Sequence, residues 1–163
     1  MYRVEFNVRT IADRLRDARE KLGDLTPLHQ EIGEYMIEST RQRFQRGEAP
    51  DGPHWLAKKP ATIARYLARG DGNRPKPLIG PSGRLGREIQ ALATRGGVEI
   101  GSSLEYAGVM QRGTAKGAFG QDRRGRPIPW GTIPARVWLG ISAEDERNIL
   151  EIASEFAADA IGD

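Results

Sequence analysis

Hydrophobic and polar residues alternate at the start of the chain and then change to helical spacing. Residues 2–8 have apolar side chains at every second position, a period that predicts a half-buried strand. In the stretch 10–23 the apolar residues lie three or four positions apart, which predicts a helix that ends at Gly23. A second helix is predicted from Thr26, as its N-cap, to Gly47, with Pro27 at the first helical position, where a missing N–H costs nothing.

Short elements separated by long loops are predicted for the middle of the chain. A proline-rich loop over residues 48–60 precedes a short helix whose Ile63, Tyr66 and Leu67 are expected to face inward. The glycine- and proline-rich residues 70–83 then predict a loop that is flexible in its first half.

A hairpin follows, with strands near 88–95 and 98–101 joined by a turn at Gly96-Gly97. Residues 106–111 predict one or two helical turns ending at Gly113. Residues 114–135 are rich in glycine, arginine and proline, which is typical of a long loop or arm.

The C-terminal part of the chain predicts a strand over 137–141 and a final helix capped by Ser142. Three acids lie in the first turn of that helix, where the helix dipole favours negative charge: Glu144, Asp145 and Glu146. Its predicted inward face holds Ile149, Ile152, Ala153, Phe156 and Ala160. Together these elements predict a single α+β domain over 1–163, with a small antiparallel sheet of three to four strands packed against two main helices. A flexible loop near 70–83 and a basic arm near 114–131 complete the expected fold.

Composition narrows the kinds of site that the protein can hold. The 163 residues include no cysteine and only two histidines, which excludes disulfides, thiolate zinc sites and multi-histidine metal sites. No apolar run approaches the roughly 18 residues of a membrane span, and the N-terminal residues do not resemble a signal peptide. The sequence therefore predicts a soluble protein in a cytosol-like compartment, without a membrane partner.

Charge is distributed unevenly along the chain. Residues 57–95 carry a net charge of +7 and residues 111–136 carry +5, whereas residues 142–163 carry −6. Such asymmetry is typical of contact with nucleic acid or of head-to-tail contact between copies of one chain. The alternative is that solvated faces differ in sign by chance.

No set of residues has the pattern of a catalytic or cofactor site. Glu34 and Glu38 lie one turn apart on the second predicted helix, but a polar face beside Arg41 is the favoured interpretation. His29 has no nucleophile nearby, and His54 lies in the proline-rich loop. The Asp51-Gly52 pair lacks companion acids at calcium-loop spacing, and residues 80–83 lack the Lys-Ser/Thr ending of a phosphate-binding loop. We therefore expect no enzyme activity, no metal and no cofactor.

The arm contains the strongest surface signal. It places three guanidinium groups and an aromatic ring together, at Arg123, Arg124, Arg126 and Trp130. These residues are candidates for contact with an acidic protein patch, or with nucleic-acid phosphates and a base stacked on Trp130. A disordered basic loop is the alternative interpretation.

Four short blocks in a fixed order suggest a family. They include Phe44, Asp51, Gly52 and Trp55 in the first block; Gly83, Arg84 and Leu85 in the second; Tyr106, Gln111 and Gly113 in the third; and Pro134, Arg136, Leu139 and Gly140 in the fourth. Over residues 30–160 the chain resembles the phage virion morphogenesis family, which includes tail completion proteins of Mu-like and related contractile-tailed phages. It departs from the family at Met110, where a histidine is common, and at Val137-Trp138, where Pro-Phe is common. Both changes keep a packing role for these positions.

The resemblance implies a structural protein of the neck or tail of a virion, made in the host cytoplasm. Such a protein completes or terminates the tail and allows head–tail joining, as a ring of identical subunits for which a hexamer is favoured. Its implied partners are further copies of itself, the tail tube or sheath protein and the head completion or connector protein. DNA is contacted only as it passes through the lumen. The motif positions are expected to act mainly in the fold. A basic nucleic-acid-binding module is the main alternative, and an enzyme is the other.

Overall fold

The computed structural model describes residues 2–3, 13, 23–50 and 52–162. Most of the predicted first strand, and the predicted helix over 10–23 apart from Asp13 and Gly23, lie outside the described residues. Within them the chain forms a mixed α and β domain, as the sequence predicted.

The longest helix, α1, spans Thr26–Arg46 and confirms the predicted second helix. Its N-cap position is Leu25 rather than the predicted Thr26. The capping carboxylate comes from Asp24, whose Oδ1 accepts hydrogen bonds from the Thr26 amide at 3.1 Å and the Thr26 hydroxyl at 2.7 Å. The helix ends at Gly47, which has φ +76° and donates its N–H to the carbonyl of Arg43. Glycine adopts this left-handed conformation without steric cost.

A small open antiparallel sheet packs against α1. Strands β2 (Ile89–Thr94) and β3 (Gly97–Ser102) form the predicted hairpin, and the two-residue β1 (Tyr2–Arg3) pairs with the other edge of β3. A sheet of three to four strands is not confirmed, because β1 is only two residues long and residues 4–8 lie outside the described part. At Gly33 the helix lies so close to the sheet that an added Cβ would come within 2.8 Å of the Ala91 Cβ.

Four further helices complete the described fold: α2 (Pro60–Ala68), α3 (Arg84–Arg87), α4 (Ala107–Arg112) and α5 (Ala143–Gly162). These confirm the short helix after the proline-rich loop, the helical turns before Gly113 and the final helix. The predicted inward face of α2 is wrong at Leu67, whose side chain is 54% exposed, and Ile63 and Tyr66 are only half-buried. Helix α2 lies at the surface, and none of its side chains is fully buried.

Two clusters of buried side chains line the two ends of α1. The first contains Phe44, Trp55, Leu85, Ile89, Leu104, Ala107, Trp138 and Leu139, and the second contains Leu25, Leu28, Ile32, Met36 and Ile149. The Phe44 ring lies 5.2 Å from the Trp55 ring and 6.0 Å from the Trp138 ring, measured between centroids. Helix α1 thus connects the aromatic cluster to the aliphatic cluster beneath α5.

The predicted strand over 137–141 is wrong. The segment pairs with no strand among the described residues, and side chains bond its backbone instead. The Trp55 indole donates to the Val137 carbonyl at 2.7 Å, and the Arg43 guanidinium donates to the Gly140 carbonyl at 2.8 Å. A short apolar run is consistent with a buried strand, but it does not show which groups bond the backbone.

Candidate functional site

The side chains considered for catalysis have ordinary structural partners. The carboxylates of Glu34 and Glu38 bond the neighbouring Gln30 and Gln42, and the buried His29 places Nδ1 2.6 Å from the carbonyl oxygen of Thr94. In the described residues, no three His, Asp or Glu side chains come together as a metal site would require. Nor does any helix among the described residues combine the length and apolarity needed to cross a membrane.

Gln111 is a polar hub within the aromatic cluster. Its Oε1 accepts hydrogen bonds from the backbone N–H groups of Trp138 at 2.9 Å and Leu139 at 3.1 Å, and its Nε2 donates to the Leu139 carbonyl at 2.8 Å. The amide is buried, so these bonds replace those that water would otherwise make. One side chain of α4 therefore holds the segment 137–141 against the core.

Gly113 ends α4 in a backbone conformation that only glycine adopts readily. Its φ is +73° and its ψ is 176°, and an added Cβ would lie 2.6 Å from the backbone nitrogen of Ala135. We expect Gly113→Ala to lower the free energy of unfolding by about 1–3 kcal/mol, measured by urea denaturation. Gly120→Ala is the matched control for positive φ, because nothing surrounds Gly120 within 4 Å. Equal losses in the two variants would contradict a role for close packing at Gly113.

A buried ion pair joins α1 to the start of α5. Arg43 donates to a carboxylate oxygen of Asp145, and the same carboxylate accepts hydrogen bonds from the hydroxyls of Tyr35 and Ser39. Ser142 and Asp145 also form reciprocal cap bonds, each backbone N–H reaching the other side chain. Burial raises the pKa of Asp145, but the hydrogen bonds from Ser39 and Ser142 and the charge of Arg43 outweigh it and lower that pKa below its ordinary value of 3.8.

The basic arm, residues 114–131, folds back on itself. At its base Thr114 and Ile133 exchange two backbone hydrogen bonds of 2.9 Å, and further along the Phe119 amide donates to the Ile128 carbonyl at 2.8 Å. At its tip Asp122 accepts hydrogen bonds from the amides of Arg124 and Arg126 and from the Arg126 guanidinium. These bonds from Arg126 lower the pKa of Asp122. The tip therefore has its own internal framework.

Trp130 lies beneath two guanidinium groups. The Arg126 guanidinium carbon is 4.7 Å from the centre of the Trp130 ring, and that of Arg65, on α2, is 5.4 Å away. The structure therefore brings Arg126 and Trp130 together, while Arg123 and Arg124 are exposed at the tip and bond no acidic side chain among the described residues. Sequence reasoning missed Arg65, because nothing in the local sequence connects it to the arm.

An apolar groove of about 760 Å³ lies beside the base of the arm. Four stretches of chain and two side chains of the α4 region line it: residues 56–59, one face of α2, residues 78–85, residues 132–136, and the side chains of Tyr106 and Met110. Thr62 and Tyr66 supply the α2 face, and Ile133 and Pro134 come from the base of the arm. The groove therefore lies next to the base of the arm.

Two cations hold the wall of the groove together. Lys58 donates from Nζ to the carbonyls of Arg74 at 2.8 Å and Ile79 at 2.6 Å, which ties it to the loop 70–83. Burial, with the nearby charges of Arg136 and Arg74, lowers the pKa of Lys58. Arg136 donates from Nε to the Leu56 carbonyl at 2.7 Å, and burial lowers its pKa as well. The flexibility of the loop 70–83 stays a prediction.

Exposed apolar side chains are concentrated around this surface. Among the described residues, seven of the eight large exposed ones belong to the segments that form or adjoin the groove and arm: Leu56, Leu67, Tyr106, Phe119, Ile128, Trp130 and Val137. Leu92 on β2 is the eighth. We take these side chains as a candidate protein-contact surface, because large exposed apolar patches mark such sites.

A comparison with models of protein families identifies the family of this chain. The model of the phage virion morphogenesis family matches residues 6–156 of the 163. The chain belongs to this family. A search of curated proteins and a search of solved structures gave no match. Membership in the phage virion morphogenesis family makes the chain a protein of virion assembly, a structural rather than a catalytic class.

Most of the motif positions that carried the resemblance lie in the core or at turns. Phe44, Trp55, Leu85, Leu139 and Gly140 are buried, and Gly52 and Gly83 have positive φ. Arg84 pairs with Glu88 at 2.5 Å, and Asp51 lies outside the described residues. Tyr106 and Pro134 instead line the groove, as do Arg84, Leu85 and Arg136. The family motif thus reaches both the core and the candidate surface.

Proposed function

We infer that the protein is a structural component of the phage neck or tail, which completes or terminates the tail and allows it to join a filled head. It acts by binding alone, as a ring of identical subunits. The match to the family over residues 6–156 carries this proposal. The exposed apolar side chains around the groove and arm support it, because a subunit that assembles needs such a surface.

A ring requires two different surfaces on each subunit, since each copy contacts the next in the same direction. The charge pattern of the chain supplies a basic middle and an acidic C-terminal part. The remaining exposed surface is then available to the tail tube or sheath protein on one side and to the head completion or connector protein on the other. DNA passes through the lumen without tight binding, because it must slide.

A basic nucleic-acid-binding module is the second candidate, favoured by the exposed Arg123 and Arg124 at the tip of the arm. The environment of Trp130 is less favourable to it. Two guanidinium groups already lie over that ring, so a stacking base would compete with them for its surface. Steeply salt-dependent, sub-micromolar binding of duplex DNA, measured by fluorescence anisotropy, would support this candidate over the structural one.

Electron microscopy of a lysate from a phage that lacks this gene tests the proposed function. We expect filled heads beside separate tails. Tails of uncontrolled length would specify a terminator. Normal infectious particles would contradict the proposal.

The double variant Arg123→Ala/Arg124→Ala tests the part played by the arm in assembly. These side chains have no acidic partner among the described residues, so thermal stability is expected to stay unchanged while joined particles become rare. Arg95→Ala is the control for loss of an exposed arginine, because Arg95 lies at the hairpin turn, far in sequence from the arm, and forms only a 3.8 Å surface pair with Asp24. Counting joined particles by electron microscopy checks the result, and normal joining in the double variant would remove the arm from the interface.

A further inference from the structure

Three cations without acidic partners lie on or beside α2, next to the groove: Lys59 lines it, Arg65 lies over the Trp130 ring, and Arg69 follows the last residue of α2. Lys59 precedes α2, and Arg65 and Arg69 follow along it, one turn apart at its C-terminal end. All three side chains are exposed, and none forms an ion pair with a residue that the structure describes. At about 1.5 Å per residue, they extend over about 15 Å of the α2 region.

Helix α5 carries the complementary charge as a stripe. Glu151, Glu155 and Asp159 repeat at intervals of four residues, and Glu144 lies two turns earlier on the same face. The four side chains are exposed and have no basic partner within the described part of the chain. The stripe is about 22 Å long at 1.5 Å per residue.

The C-terminal part of this stripe, from Glu151 to Asp159, is expected to destabilise the isolated subunit. Like charges four residues apart repel each other on a helix surface. The C-terminal end of a helix is also the negative end of its dipole, yet the last turn of α5 contains the acidic Asp159 and no basic residue. A cationic surface on a partner would offset both the repulsion between these acids and the unfavourable position of Asp159 at the negative end of the helix dipole.

The same part of α5 is narrow and incompletely covered. From Leu150 to Asp159 no side chain is fully buried, although Ile152 and Phe156 touch the aliphatic cluster. Alanines at 153, 157 and 158 keep this part of the helix narrow. An acidic helix with small residues and half-covered apolar side chains matches an apolar groove with a cationic side.

We propose that the groove binds the C-terminal half of α5, residues 150–162, of a neighbouring copy of the chain. Glu151, Glu155 and Asp159 of one copy meet Lys59, Arg65 and Arg69 of the next. The contact is head-to-tail, because the stripe and the groove are different surfaces of one subunit. This inference rests on the proposed ring and specifies the surfaces that form it.

Two neutralised variants test the contact. The acid-side variant is Glu151→Gln/Glu155→Gln/Asp159→Asn, and the base-side variant is Lys59→Gln/Arg65→Gln/Arg69→Gln. Glu31→Gln is the control, since Glu31 is an exposed acid on α1. Oligomer mass is measured by sedimentation velocity at low and high salt, with thermal midpoints to confirm that each variant is folded. We expect the wild type and the control to assemble, and each variant to assemble about tenfold more weakly or worse.

Mixing the two variants sharpens the test. Each variant keeps one intact surface, so the mixture is expected to form a two-chain complex and nothing larger. Assembly of either variant like the wild type, a mixture that stays monomeric, or a monomeric wild type would overturn the proposed contact. These results are independent of the electron microscopy of particles that tests the proposed function, so the two proposals can fail separately. If the groove instead binds an acidic segment of another virion protein, the wild-type chain is expected to stay monomeric.

Crosslinking gives a second measurement that does not depend on weakening the contact. The chain has no cysteine, so Thr62→Cys/Ala158→Cys introduces the only two thiols and leaves the acidic stripe of α5 intact. Oxidation is expected to join copies into a ladder of covalent multimers. Thr62→Cys/Glu31→Cys is the matched control, and an equal ladder from this control would overturn the proposal.

Discussion

Replacing Asp145 with alanine is expected to lower the free energy of unfolding by about 3–5 kcal/mol, because removing one partner of a buried ion pair leaves the other charge without compensation. The remaining charge is that of Arg43, which is buried beneath α5. The same substitution removes the acceptor for Tyr35 and Ser39 and half of the reciprocal cap at Ser142. Urea denaturation measures the loss.

Glu144→Ala is the matched control for this prediction. Glu144 is the preceding acid in the same helical turn, but its side chain is exposed, so its loss is expected to stay within about 0.5 kcal/mol. Arg43→Met tests the pairing itself. If the two residues act as a pair, the double variant loses less stability than the sum of the two single variants. Additive losses would show that Arg43 and Asp145 stabilise the fold independently.

Gln111→Leu is expected to cost about 3 kcal/mol or more, because it removes every hydrogen-bonding group of the side chain while nearly preserving its size. The N–H groups of Trp138 and Leu139 and the carbonyl of Leu139 would then be buried without these partners. Thermal and urea unfolding measure the loss, and near-ultraviolet circular dichroism reports the packing of Trp138.

Gln90→Leu provides the comparison for Gln111→Leu. Gln90 is an exposed glutamine on β2, so this change alters little beyond surface polarity. We expect it to shift stability by no more than about 0.5 kcal/mol. A similarly small loss at Gln111 would mean that water replaces the side-chain amide and that the segment 137–141 does not depend on it.

The elements that local sequence determines were predictable. Helix α1 follows from its apolar spacing and its glycine stop, and the β2–β3 hairpin follows from the turn between two apolar stretches. The cap of α5 at Ser142 also lies within one turn of the residues it bonds. Such signals need only neighbours in the sequence.

The segment 137–141 shows where local patterns fail. Its backbone partners come from Trp55, Gln111 and Arg43, which are 27 to 97 residues away from the groups that they bond. The pairing of Asp145 with Arg43 could not be predicted for a similar reason. The position of Asp145 in the first turn of α5 correctly indicated a helix start, but nothing in the local sequence indicates its partner 102 residues away. Contacts between side chains that are far apart in sequence produce no periodic pattern of apolar residues.

The candidate surface was predictable only in part. Arginines beside Trp130 marked the arm as a contact region, and the structure places Arg126 on that ring. The groove was not predictable, because its walls come from segments separated by many residues along the chain. Arg65 reaches the arm through the same long-range packing of α2.

The separation of Arg43 from Asp145 has a consequence for synthesis on the ribosome. The two residues are 102 positions apart, so at about 5–20 residues per second roughly 5–20 s pass between their translation. During that interval the nascent α1 carries a cation in a position that the finished fold buries, and its counter-ion does not yet exist. A chain that stops before Asp145 keeps this uncompensated charge. Prematurely terminated chains are therefore expected to be less stable than the full chain, because they lack the counter-ion of Arg43 and all but the first residues of α5.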